Sequence, residues 1–204
     1  MAILYPSDAE LLRTEIAIAA ARLIAEDGAD YSTAKRKAAR QILGNAPPRG
    51  NYLPDNAQIE EEVRQYNELF FGESQPARLL QLRLLAIEVM DDLAEFNPYL
   101  TGAVLNGTAG EHSDIHLQLF AENTKDVTIA MLNRSIDFEV SETSHFRRPD
   151  RQVEVLSFLW KREGVHLALY EPDDLRGAMK TTQGRGIERA NVRAVRNLIE
   201  QTTT

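Results

Sequence analysis

Between Gly102 and Phe120 the chain reads Gly-Ala-Val-Leu-Asn-Gly-Thr-Ala-Gly-Glu-His-Ser-Asp-Ile-His-Leu-Gln-Leu-Phe, and no other stretch restricts the fold as much. Its second half alternates. Asp114, His116 and Gln118 fall on one face of an extended strand, and Ile115, Leu117 and Leu119 on the other. The apolar face must be covered by another layer. The first half, from Gly102, reads as a short apolar strand, joined to the second by a tight turn rich in Gly and small residues. An Asp two residues from a His, on the polar face and behind a Gly107-Thr108 turn, is unusual for a purely structural hairpin.

Upstream lies a covering layer. Residues 76–96 carry Leu79, Leu80, Leu82, Leu84, Leu85, Ile87, Val89, Met90 and Leu93. A helix apolar almost all round is buried on more than one side, so it is expected to pack on the sheet that follows. Earlier still, Ser7 with Glu10 three residues on predicts the start of a helix running to about Glu26. A second helix runs from Ser32 or Thr33 to Leu43, and a third begins at Asp55 or Asn56, with 45–51 as a linker.

Downstream of Phe120, residues 124–133 read as a helix with Val127, Ile129, Ala130, Met131 and Leu132 on its buried side. Residues 136–140 read as a strand presenting Asp137 and Glu139 on one face. Two alternating runs, 153–160 and 165–170, around Lys161-Arg162-Glu163-Gly164 predict a β-hairpin. A Gly-rich loop at 183–186 precedes a final helix from about Ile187 to Glu200. The order predicts an α+β fold: a mixed β-sheet core over 76–170, a helical appendage at 1–45, a linker and helix at 46–75, and a C-terminal loop and helix at 171–204.

Composition narrows the function. The 204 residues carry a net charge of −8, which opposes non-specific binding of polyanions over the whole surface. Nucleic-acid contact would have to rest on a local cluster, and Lys35, Arg36, Lys37 and Arg40 supply one; a solvated helix face is the plainer reading of the same residues. Without cysteine there is no disulfide, zinc-thiolate site or thiol catalysis. No run of eighteen apolar residues predicts a membrane span, and the N-terminus lacks a secretory pattern, so a cytoplasmic location is expected. Neither a Gly-x-x-x-x-Gly-Lys phosphate loop nor a Gly-x-Ser-x-Gly elbow occurs.

The segment around Gly107-Thr108 and Asp114 resembles the signature of the polymerase-beta-like nucleotidyltransferases: a Gly-Ser turn, an Asp-x-Asp strand, and a third carboxylate on a neighbouring strand. The resemblance implies a nucleotidyltransferase-like sheet. It also implies transfer of a nucleoside monophosphate from a nucleoside triphosphate to a hydroxyl acceptor, with magnesium or manganese as cofactor. By the same resemblance, Gly107, Thr108 and Gly110 would bind the nucleotide's phosphates. Asp114 and Asp137 would be the catalytic carboxylates, and the metal set would draw on Asp114, His116, Asp137 and Glu139. The chain departs from the pattern at His116, which stands in the second carboxylate's place, and the spacing from turn to Asp114 is short.

Imidazole is a poor magnesium ligand, so three readings stay open. The site is a relic that binds a nucleotide or nothing; it uses another metal through Asp114, His116 and Asp137; or Glu139 supplies the missing oxygen. A catalytically inactive nucleotide- or RNA-binding or regulatory protein is the alternative to an enzyme. Elsewhere, Glu111-His112 reads as an exposed pair or a substrate neighbour, and His145 with Arg147 and Arg148 as a plain loop or a phosphate contact. His166 reads as a surface or half-buried strand residue, and Gly184-Arg185-Gly186 as an anion cradle or a connector.

Overall fold

The computed structural model describes residues 8–29, 31–44, 52–148, 150–175 and 189–202. The Ser7 cap, the linker at 45–51, the loop at 183–186 and the expected helix start at Ile187 lie outside them. Among the described residues, eight α-helices and five strands follow the order α1 (Asp8–Asp27), α2 (Tyr31–Leu43), α3 (Asn56–Phe71), α4 (Gln75–Asp92), β1 (Tyr99–Thr101), α5 (Gly102–Asn106), β2 (Ile115–Phe120), α6 (Thr124–Asn133), β3 (Glu139–Ser144), β4 (Gln152–Trp160), β5 (Glu163–Tyr170), α7 (Pro172–Leu175) and α8 (Val192–Thr202). The chain divides into two compact units. One comprises residues 1–78 with 108–112, the other 79–107 with 113–204.

The first unit is helical. Ile16, Ala17, Ala20, Ala21 and Ile24 of α1 meet Ala34, Ala38 and Ala39 of α2 and Ile59 and Val63 of α3 in one buried cluster. Alanine dominates this core, and its short side chain lets helix backbones approach closely. α3 starts where its sequence dictates. Asp55 accepts from the Gln58 amide at 2.8 Å, and Gln58 Oε1 accepts from the Asp55 amide at 3.0 Å, a reciprocal capping box.

The second unit is an open mixed sheet in the order β1-β2-β5-β4-β3. Only β2 and β5 run parallel; the other neighbours are antiparallel. Strand alternation sends Leu100, Ile115, Leu117, Leu119, Val165, Leu167, Leu169, Leu156 and Phe158 to one face, where all are buried. Leu82, Ala86, Val89 and Met90 of α4 are also buried in this unit. Beyond β1, Leu100 exchanges both backbone hydrogen bonds with Ala190, which covers that edge. At the other edge, all six residues of β3 are exposed. Lys161 and Arg162 form the two-residue hairpin turn between β4 and β5, both at positive φ (50° and 75°). The turn is thus two residues long, and Glu163 and Gly164 already belong to β5.

Three expectations are corrected. The run from Gly102 is a helix, not a strand. Gly102 at φ 70° turns the chain out of β1, Gly107 at φ 88° closes α5, and buried Arg83 donates to the carbonyls of Val104 and Leu105 at 3.1 Å each. On α6 the buried side is Val127 and Met131, whereas Ile129 and Leu132 are more than half exposed. The strand expected at 136–140 begins only at Glu139, because Ser135 at φ 55° turns the chain after α6.

Candidate functional site

The pairing register sets one row of side chains across the sheet: Thr101, His116, His166, Ser157 and Glu139, each directly opposite the next. Directly paired residues share a face, so all five stand on the face opposite the buried leucines and valines. Asp114, two residues before His116, stands on that face as well. Its carboxylate lies over Gly164, where any Cβ would collide with it.

These groups are linked. Ser157 Oγ is 2.8 Å from His166 Nδ1, and His166 Nε2 is 3.0 Å from Asp114 Oδ2. The His116 and His166 rings stack 4.8 Å apart at 18°. Asp114 is half exposed and His166 less so (48% and 29% of their side chains). A Ser-His-Asp line is the wiring of a nucleophilic hydroxyl, but among the described residues the nucleophile's own strand offers no oxyanion cradle. Ser157 sits mid-strand between two paired neighbours, so its backbone amide lies within the sheet ladder. Two residues along β2, Gln118 is nine-tenths buried on the same face, and its Oε1 has no hydrogen-bond partner among the described residues.

His116 is exposed by accessible surface, yet the protein atoms gathered round its ring push its pKa down to about 4. Desolvation is the main cause and neighbouring His166 the second, while Asp114 pulls the other way. A depressed histidine binds fewer protons folded than unfolded. In chelator-treated protein its contribution therefore makes stability fall as pH drops from 6.5 toward 4. Urea titrations across that window are expected to show His116→Gln with a flatter acid limb than wild type. An identical limb in both proteins would contradict the assignment.

The expected third carboxylate is not on a strand neighbouring β2. β5 and β4 lie between β2 and β3, which puts β3 roughly 14 Å from β2 at ~4.8 Å per strand. Asp137 precedes β3 and is exposed; Glu139 shares the transverse row but stands at its far end, also exposed. Gly107 closes α5 in the second unit, whereas Thr108 and Gly110 belong to the first. There Thr108 is 2% exposed, its hydroxyl faces that of Tyr31 at 3.5 Å, and its carbonyl accepts from Asn67. Gly110, Glu111 and His112 line a cavity of about 390 Å³ with Phe71, Gln75 and Arg78. On α2, Arg36, Lys37 and Arg40 are exposed within an arc of ~100°. Lys35 is drawn aside to Asn56 at 3.0 Å.

His145 is not a surface phosphate contact. It is 1% exposed, its Nδ1 accepts from the amides of Arg147 and Arg148 at 2.9 and 3.2 Å, and its Nε2 lies 3.1 Å from Asp174 Oδ1. Burial pushes the Asp174 carboxyl up, but His145 and Arg148 outweigh it and leave the group below its usual range. This cluster, with Phe146 and Tyr170 ring-on-ring, is a buried polar anchor.

Sequence reasoning missed His166 and Ser157. A signal for their pairing existed: a two-residue turn at 161–162 fixes Ser157 opposite His166 by counting. The parallel pairing that brings His166 to His116 had no local signal.

Magnesium, which the nucleotidyltransferase resemblance implies, does not fit this donor set. It favours several oxygen ligands in octahedral geometry, and the set offers one carboxylate and two imidazoles. Among the described residues, no three acidic or imidazole side chains are gathered as they stand into a metal cage. Comparisons with protein-family models, with curated proteins and with solved structures returned no match. Among the same residues, no helix is long and apolar enough to cross a membrane.

Proposed function

We propose that this chain is a nucleotidyltransferase-like protein that binds a nucleotide without turning it over. The observation that carries the reading is the isolation of one carboxylate among the described residues: Asp114 is held by His166, and Asp137 and Glu139 lie three strands away. Transfer through two magnesium ions needs clustered oxygen ligands to hold the metals that bridge the triphosphate, and the described residues of this face do not offer them. Binding needs less. The orphan acceptor Gln118 Oε1, on the same face, supports a ligand bearing an N–H or O–H donor, as nucleobases and ribose do.

Calorimetric titration with each common nucleoside triphosphate, with chelator and with magnesium, tests this. Binding is expected to persist in chelator, and Gln118→Leu to weaken it about tenfold, the equivalent of one net hydrogen bond. No pyrophosphate is expected with any acceptor. Magnesium-dependent pyrophosphate release would replace this reading by an active transferase, and absence of binding by a regulatory partner protein. RNA is a second reading, favoured by the exposed arc of Arg36, Lys37 and Arg40. Under it, fluorescence anisotropy would show a salt-sensitive affinity for single-stranded RNA that falls in the triple alanine variant.

A further inference from the structure

Two imidazoles and a carboxylate share the solvent-facing end of the β2–β5 pair, and two of their donor atoms already stand at a metal ion's spacing. Ligands on one tetrahedral ion, with bonds of roughly 2.0–2.1 Å, are about 3.3 Å apart. His166 Nε2 and Asp114 Oδ2 are 3.0 Å apart. The geometry points to a transition-metal ion of the zinc type held by Asp114, His116 and His166, with Ser157 fixing the His166 ring.

The supporting shell is present. Ser157 Oγ can accept the Nδ1 proton of His166, leaving the Nε2 lone pair free for metal, and hydrogen bonding of the far ring nitrogen orients and strengthens a histidine ligand. Gly164 leaves the space in which the Asp114 carboxylate sits, so that ligand is placed by the backbone of the adjacent strand. His116 is the group that moves. Its ring lies nearly parallel to that of His166 and must turn about its own side-chain bonds to aim at the same ion. Gly102, which approaches this ring, carries no side chain on that side of it.

Ligand chemistry selects the ion. Imidazole suits zinc, cobalt, nickel and iron, whereas magnesium and calcium favour oxygen. Three protein ligands leave a fourth position open to water or an anion, the pattern of an accessible rather than a closed structural site. This binding requires no nucleotide, so its outcome is separate from that of the proposed function.

The test is calorimetric titration of the metal-stripped full chain with zinc chloride, and with cobalt chloride followed by its visible absorption bands. One ion per chain is expected. Asp114→Ala, His116→Ala and His166→Ala are each expected to abolish measurable binding, and Ser157→Ala to weaken it about tenfold. His112→Ala, in the other unit, is expected to bind like wild type. His116→Asn and His166→Gln repeat the test conservatively, and circular dichroism establishes that each variant is folded. Failure of wild type to bind either ion overturns the assignment. So does affinity that survives in any folded variant of the three ligands.

Discussion

Replacing Leu117 by Ala is expected to cost about 3 kcal/mol of stability, read as a lower urea midpoint at unchanged slope. Leu117 is 1% exposed at the centre of β2, with Leu100 opposite it on one side and Leu167 on the other. Those two are fully buried, as is Leu156 opposite Leu167 on β4. A row of four leucines across four strands has no neighbour free to collapse into a gap. The cost should therefore include the cavity as well as the lost transfer free energy. A loss under about 1 kcal/mol would mean that the row repacks around the gap.

Arg83→Met is expected to cost about 2–3 kcal/mol through a different mechanism. The guanidinium of Arg83 is the donor for the Val104 and Leu105 carbonyls at the end of the five-residue α5. Its burial pushes the Arg83 pKa below the ordinary arginine value, so the charge is held there against a desolvation cost. Met fills similar volume and restores neither hydrogen bond. The variant should lose stability, and hydrogen exchange at Gly107, whose amide bonds to the Ala103 carbonyl, should accelerate with it. If stability fell while that amide kept its protection, α5 would stand without Arg83.

Much of the architecture was legible where local chemistry decides it. Asp55 and Gln58 announce α3, the apolar pattern at 124–133 gives the limits of α6, and alternation in 153–160 and 165–170 gives the hairpin. α5 was not legible. Gly-Ala-Val-Leu is too short a run for periodicity to separate strand from helix, and a distant arginine settles the matter. The candidate site's geometry was half legible. Asp114 and His116 stand out because they alternate on one strand. His166 joins them only because β5 lies parallel beside β2, a pairing between segments about fifty residues apart that no local pattern encodes. Asp137 and Glu139 looked like partners for the reverse reason: a nearby carboxylate pair in sequence ended at the far edge of the sheet.

The two edges of that sheet finish in opposite ways. The β1 edge is bridged by Ala190, while among the described residues no strand pairs with the outer edge of β3, whose six residues are all exposed. Glu139 and Glu142 fall on opposite faces of β3, so a strand arriving from another molecule meets a carboxylate whichever way it lies. Among the described residues, the boundary against a further strand at this edge is these two carboxylates. Such a boundary is strongest in dilute buffer and weakens as ionic strength rises.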